Sequence, residues 1–285
     1  MRIKILLLGS SGMAGHVLKI ELERYSEQIE LIDIARSNKL TVPKIELDVT
    51  NFQELRNIIR DNSFDFIINC VGVLNNFAES NPDIAILINS YLPHFLEEAT
   101  SNTETKIIHI STDCVFSGNK GRYHESDFKD GIGFYAQSKA LGEIVNNKDL
   151  TIRTSIIGPD LNENGIGLFT WLIKQSGTVE GYTNVFWSGI TTIQLARVII
   201  DIVLGTEYPS GIFHVTNNHR ISKFELLTII KEVFQLDRIE IKHSDKYRVD
   251  KSIINTRKDF RLIIPDYRQM INDMEAWMKM NNYEI

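Results

Sequence analysis

The stretch Ile3-Lys4-Ile5-Leu6-Leu7-Leu8-Gly9-Ser10-Ser11-Gly12-Met13-Ala14-Gly15 decides the fold. Its first half is a compact apolar run stopped by glycine, the pattern of a strand buried on both faces of a parallel sheet. Its second half sets three glycines at intervals of three, just where a helical pattern begins that runs from Met13 to Tyr25. Glycine permits the tight turn and lets a pyrophosphate approach the backbone N–H groups of a helix N-terminus. Gly9, Ser11, Gly12, Met13 and Gly15 are therefore candidate cofactor-binding residues.

Outward from this stretch the chain alternates. Ile29–Ala35 reads as a second strand, completing a βαβ unit, and Lys44–Leu47 as a short third. Thr50, with Gln53 three residues on, predicts a capping box for the next helix. A strand at Phe66–Val71, a helix from about Ile84 to Ala99, a strand at Lys106–Ser111, a helix from about Phe134 to Asn146 and a strand at Leu150–Ile156 follow. The alternation predicts an α/β fold, a Rossmann-type doubly wound parallel sheet. Past Gly158-Pro159 and the polar stretch 162–167 it weakens, which predicts a smaller α/β substrate-binding lobe. The expected division is 1–155 for dinucleotide binding, rejoined by about 181–205, with 156–180 and 206–285 forming the lobe. Within these segments Thr191–Leu204 reads as a buried helix, Ser222 with Glu225 as a capping box, and Asp266 to about Lys279 as a last amphipathic helix.

Composition narrows the function. The chain has 285 residues, 31 Lys and Arg against 37 Asp and Glu, and a net charge of -6. No basic run is present, so nucleic-acid binding is not expected. The short apolar run Ile5–Leu8 is no signal-peptide core or membrane span, so a cytoplasmic protein without membrane contact is expected. The two cysteines, Cys70 and Cys114, and the seven histidines show no metal-ligand spacing, and no metal is expected.

Tyr135-Ala136-Gln137-Ser138-Lys139 places a phenol and an ammonium on one helical face. Such a pair suits proton transfer, since a cation stabilises the phenolate. Tyr247 and Lys251 repeat the spacing, but they lie outside the alternation, whereas Tyr135 follows a strand ending in Ser111-Thr112-Asp113, at the carboxyl edge where such sheets bind ligands. Cofactor choice turns on the end of the second strand. Arg36-Ser37 suits the 2′-phosphate of NADPH, Asp33 the free ribose of NADH; apolar Ile34 and Ala35 carry the strand past Asp33 and favour NADPH.

Several motifs in order now resemble the extended short-chain dehydrogenase/reductase superfamily, and within it the dTDP-4-dehydrorhamnose reductase-like sugar-nucleotide reductases. They are Gly9–Gly15, Leu47-Asp48-Val49-Thr50, Asn69-Cys70-Val71-Gly72, Ile110–Gly118, Tyr123-His124-Glu125, Tyr135–Glu143, Arg153-Thr154-Ser155 and Trp187–Thr192, spanning nearly all of residues 1–260. The resemblance implies a catalytic set of Thr112, Tyr135 and Lys139, with Thr112 on the substrate carbonyl. It also implies that Asp48-Val49 and Cys70-Val71-Gly72 line the adenosine, and that Asp113, Trp187 and Lys251 contact substrate. Dehydratases of the superfamily carry an acidic residue after the Thr-Asp pair and the rhamnose reductases usually tyrosine; here it is Cys114, which disfavours dehydration and leaves the hexose open. The expected activity is reduction of the C4 ketone of a nucleotide-diphosphate 4-keto-6-deoxyhexose for cell-surface polysaccharide synthesis, in a homodimer. Arg153 and Arg257 are candidates for the substrate diphosphate. A nucleotide-sugar epimerase or a non-catalytic dinucleotide-binding regulatory subunit are the alternatives.

Overall fold

The computed structural model describes residues 2–36, 42–161, 165 and 167–283. Strand β1 (Ile3–Leu8), helix α1 (Met13–Glu23) and strand β2 (Ile29–Ala35) form the opening βαβ unit. β3 (Ile45–Glu46), α2 (Phe52–Asn62) and β4 (Phe66–Asn69) follow, then α3 (Asn75–Ser80), α4 (Pro82–Ala85), a π-helical turn over Ile86–Tyr91 and α5 (Leu92–Ala99). β5 (Lys106–Thr112) leads through a 3₁₀ turn at Asp113–Val115 to α6 (Phe134–Leu141) and β6 (Leu150–Thr154). These strands are parallel, in the order β3-β2-β1-β4-β5-β6, with one more strand beyond β6. The order reverses between β1 and β4, and the crevice over their carboxyl ends is where a doubly wound sheet binds its ligand.

The apolar run of β1 is explained by its two covers. Ile5 and Leu7 pack into one core with α1, while Leu6 and Leu8 pack into a second on the opposite face, with Leu55, Ile59, Leu92 and Leu96. Alternate side chains of a strand point to opposite faces, so only a strand covered on both sides tolerates such a run.

The rest of the chain forms β7 (Ile156–Ile157), α7 (Leu168–Ile173), β8 (Gly177–Tyr182), β9 (Val185–Trp187), β10 (Ile190–Thr191), α8 (Thr192–Leu204), β11 (Gly211–His214), β12 (Ile221–Ser222), α9 (Lys223–Val233), β13 (Ile239–Ser244), β14 (Val249–Asp250) and α10 (Tyr267–Met280). α8 lies against α1. β11 pairs with β6 and is the seventh strand of the large sheet, so the expected lobe of 206–285 is corrected: Gly211–His214 belongs to the nucleotide-binding layer.

Three local expectations also change. The cap of α2 is Asn51, whose side chain accepts the Glu54 N–H at 3.2 Å; Thr50 instead turns its hydroxyl to Asp48, so the Thr50–Gln53 box does not form. The helix expected from Ile84 starts at Pro82 and carries the π turn, because Pro93 has no N–H to give and the register before it widens, the Leu92 N–H reaching the Leu87 carbonyl. The helix expected to run to Asn146 stops at Leu141, since Gly142 lies so close to the π turn that a Cβ there would sit 1.8 Å from the Asn89 carbonyl oxygen. The Ser222–Glu225 box is present in both directions.

Candidate active site

Gly9 leaves β1 at φ +84°, a conformation glycine takes without strain, and Gly12 then opens α1 with no side-chain acceptor for the first-turn N–H groups. Unpaired N–H groups and the positive end of the helix dipole make that turn an anion site. Gly15 does not reach the cavity: a Cβ there would stand 2.0 Å from the Gly9 carbonyl oxygen, so its role is close packing of α1 on the loop. Gly9, Ser11, Gly12, Arg36, Asp48, Val49, Cys70, Val71 and Gly72 line one cavity of about 560 Å³, large enough for the adenosine part of a dinucleotide. Asp48 is held in place by the Thr50 N–H and hydroxyl, both on Oδ1, and these hydrogen bonds keep its carboxyl below the usual range. Asp33 is fully buried and accepts from Ser10, Lys19 and the Lys44 N–H, so it is spent on the loop rather than offered to a ribose. Arg36 stands at the cavity wall; Ser37, its expected companion, lies outside the described residues. The residues present thus fit a dinucleotide.

A second cavity of about 410 Å³ shares Gly12, Cys70, Val71 and Gly72 with the first and adds Met13, Thr112, Asp113, Tyr135 and Lys139. Thr112 closes β5, where its hydroxyl accepts the Cys114 N–H at 3.1 Å and donates to Asp113. Tyr135 and Lys139 project from α6. Burial, then the neighbouring Cys114 and Asp113, push the Tyr135 phenol up against a hydrogen bond from Thr112, so the phenol keeps its proton at neutral pH. Burial draws Lys139 down to about 8, against the pull of Glu143 and Cys70. The π turn braces both halves of the site. Asn89 bonds Val73 at both its N–H and carbonyl and donates to Ser138 on α6, tying the segment after β4 to α6.

Lys251 lines a neighbouring cavity with Cys114 and Tyr135, and Asp113 feels its charge. Three expectations are corrected. Trp187 is 4% exposed and packs on Tyr267 in the core, where it carries Lys223 over its ring instead of facing the cleft. Arg153 is buried and paired with Glu143 at 2.6 Å, and Arg257 caps the Ser210 and Ile212 carbonyls and pairs with Asp259, so neither is available to a diphosphate. Tyr247, the rival phenol, is half exposed against Tyr182. Among the cleft residues that the sequence reading does not single out is Lys223, the first residue of α9, which lines this second cavity, where burial lowers it and Asp113 and Cys114 pull it back. Its signal was there in the sequence, because a lysine directly after the Ser222 cap sits at the positive end of its helix and needs a local anion.

A doubly wound sheet with its glycine turn at the switch point, and a Thr–Tyr–Lys set on the wall of the same cleft, defines a dinucleotide-dependent enzyme of the extended short-chain dehydrogenase/reductase class. Residues 3–262 match the family described as the RmlD substrate binding domain, and the chain belongs to that family. It is 27% identical over 241 residues to the dTDP-4-dehydrorhamnose reductase of Aggregatibacter actinomycetemcomitans, covering 80% of this chain and 78% of that protein. A hypothetical dTDP-4-dehydrorhamnose reductase from Sulfolobus tokodaii, a crystal structure, is 31% identical with a TM-score of 0.74, covering 89% of this chain and 92% of the other. The fold also matches the dTDP-4-dehydrorhamnose reductase of Bacillus anthracis, solved in complex with NADP, at a TM-score of 0.82 and 22% identity over 97% of this chain and 100% of that one.

Proposed function

We propose that this chain reduces the C4 ketone of a nucleotide-diphosphate 4-keto-6-deoxyhexose, with NADPH favoured over NADH, and that the product supplies cell-surface polysaccharide. The observation that carries the reading is the sharing of one cavity by Thr112, Tyr135 and Lys139 with Gly12, Met13 and the Cys70–Gly72 turn. The nicotinamide, when bound, supplies hydride to the ketone carbon. The protein's own share is electrostatic. Thr112 holds the carbonyl oxygen, Tyr135 gives its phenolic proton to the alkoxide as charge develops, and Lys139 stabilises the phenolate left behind. Arg36 at the adenosine cavity, with Asp33 already committed, supports NADPH. Lys223 and Lys251, whose charges both act on Asp113, supply donors for the sugar, and Asp113 an acceptor. A cytoplasmic homodimer belongs to the same reading; exposed Tyr91, Phe134, Leu141 and Val145 give it an apolar surface. No helix among the described residues is long and apolar enough to cross a membrane.

The test is NADPH and NADH oxidation with a panel of dTDP-, UDP- and GDP-linked 4-keto-6-deoxyhexoses, in wild type and Tyr135→Phe. One panel member should turn over, and the variant should lose about 10²–10⁴-fold in rate while still binding NADPH. No turnover across the panel, with the dinucleotide bound, overturns the reductase in favour of the epimerase or the regulatory subunit.

A further inference from the structure

Behind Lys139 lies a buried polar chain that the proposed reaction leaves unused. The Asn69 side chain, at the end of β4, accepts the Val71 N–H on Oδ1 at 3.0 Å, which leaves its Nδ2 facing His109 Nδ1 at 3.2 Å. An amide nitrogen only donates, so His109 Nδ1 is the acceptor. Burial, then the nearby Lys139 and His94, hold the imidazole well below its ordinary value. It is neutral, and its one proton therefore sits on Nε2. Nε2 in turn lies 3.4 Å from Lys139 Nζ, which also donates to the Ile110 carbonyl at 2.7 Å. A ring N–H offers an ammonium nothing, but it donates to the lone pair of an amine.

We infer that His109, locked by Asn69 with its proton on Nε2, is a positioning residue that favours the uncharged amine of Lys139. The other groups facing Lys139 act the opposite way or are engaged elsewhere. Glu143 and the Cys70 thiol favour the ammonium, but Glu143 is shared between Arg153 and Lys129, and Tyr135 stands one turn back on α6. The consequence for turnover rests on the reductase reading, and its proton balance closes. The Tyr135 O–H breaks as the alkoxide O–H forms, an ammonium proton of Lys139 passes to the phenolate, and the resulting amine accepts from His109 until solvent returns the proton. His109 thereby makes Lys139 a better donor to the spent phenolate.

Two measurements test this, and they fail separately. In ¹⁵N-histidine-labelled protein with NADPH bound, the ring nitrogens of His109, assigned with His109→Gln or His109→Asn, should report a neutral ring protonated on Nε2. A ring protonated on Nδ1, or an imidazolium at neutral pH, overturns the inference whatever the substrate is. His109→Gln presents Lys139 with a carbonyl acceptor, so the alkaline limb of kcat/KM for ketosugar reduction should move up by about one pH unit, with NADPH affinity unchanged. An unmoved limb in an active, folded variant also overturns it, whereas a wild type that reduces no ketosugar defeats only the reductase reading and leaves the tautomer to decide.

Discussion

Lys223 shows how a single side chain acquires a role that its neighbours in sequence do not announce. Ser222-Lys223-Phe224-Glu225 reads as a helix start, and it is one, but the fold brings that start to the cavity holding Thr112 and Tyr135. The ammonium stands 5.4 Å over the Trp187 ring and feels the charge of Asp113, which burial pushes up. Lys223→Met keeps the apolar stem and removes the charge. KM for the nucleotide sugar should rise about tenfold or more, the worth of a charge-assisted hydrogen bond, with NADPH affinity unchanged. Equal KM in both proteins would remove Lys223 from the sugar site. Gly12, Asp48, Tyr135 and Lys139 are expected at the cleft from spacing within one turn or one helix, and they line its two cavities. Arg153 and Trp187 were misread because only tertiary packing shows that Glu143 and Tyr267 already occupy them.

Elements were legible where periodicity alone sets them and obscure where two of them meet. β1, α1 and β2 were read to within two residues, and Ser222 was read as a cap, since strand runs and capping boxes are written in neighbouring residues. The end of α6 was not, because what stops it is the π turn some fifty positions earlier, pressed onto Gly142. β11 was assigned to the wrong layer for the same reason: four residues carry no sign of which strand they pair with. Gly142 is where this contact can be tested. Its backbone lies at φ -84°, which alanine accepts, so a methyl group there acts through overlap with the Asn89 carbonyl alone. Gly142→Ala should cost about 1–3 kcal/mol by overpacking. Because Asn89 also holds Val73 and Ser138, it should weaken NADPH binding as well. A variant with wild-type stability in urea would show that the two elements separate freely, and the brace would then have no role in shaping the cleft.

The two layers of the molecule are joined by a buried ionic core whose behaviour in acid follows from its partners. Glu143 takes a hydrogen bond from Ser111 on β5 and pairs with Arg153 on β6, which in turn reaches the Glu125 carbonyl and His214 on β11. His214 also meets the Ile254 carbonyl, so one network spans the sheet edge and the late loop. Burial, with Arg153 beside it, depresses His214 to about 4 even though Glu125 pulls upward. His16 and His109 are lowered by burial too. Each of these imidazoles is neutral in the fold and protonates readily once unfolded, so the unfolded chain binds more protons on the acid side. The stability they contribute is complete above the ordinary imidazole value of 6.5 and is lost as pH falls through their lowered values, about 4 for His214. Glu143 adds loss further into acid: burial raises it, but Arg153 and Lys129 outweigh burial and leave it lowered, so its contribution disappears once it takes a proton. Urea unfolding of the wild type should therefore lose stability steeply below neutral pH, by up to about 1.4 kcal/mol per pH unit for each imidazole. In His214→Gln the slope between these limits should fall by about one imidazole's share, while His16 and His109 keep theirs. An identical slope in the two proteins would mean that His214 is protonated in the fold, and that Arg153 and Glu125 are linked through a charge rather than a neutral ring.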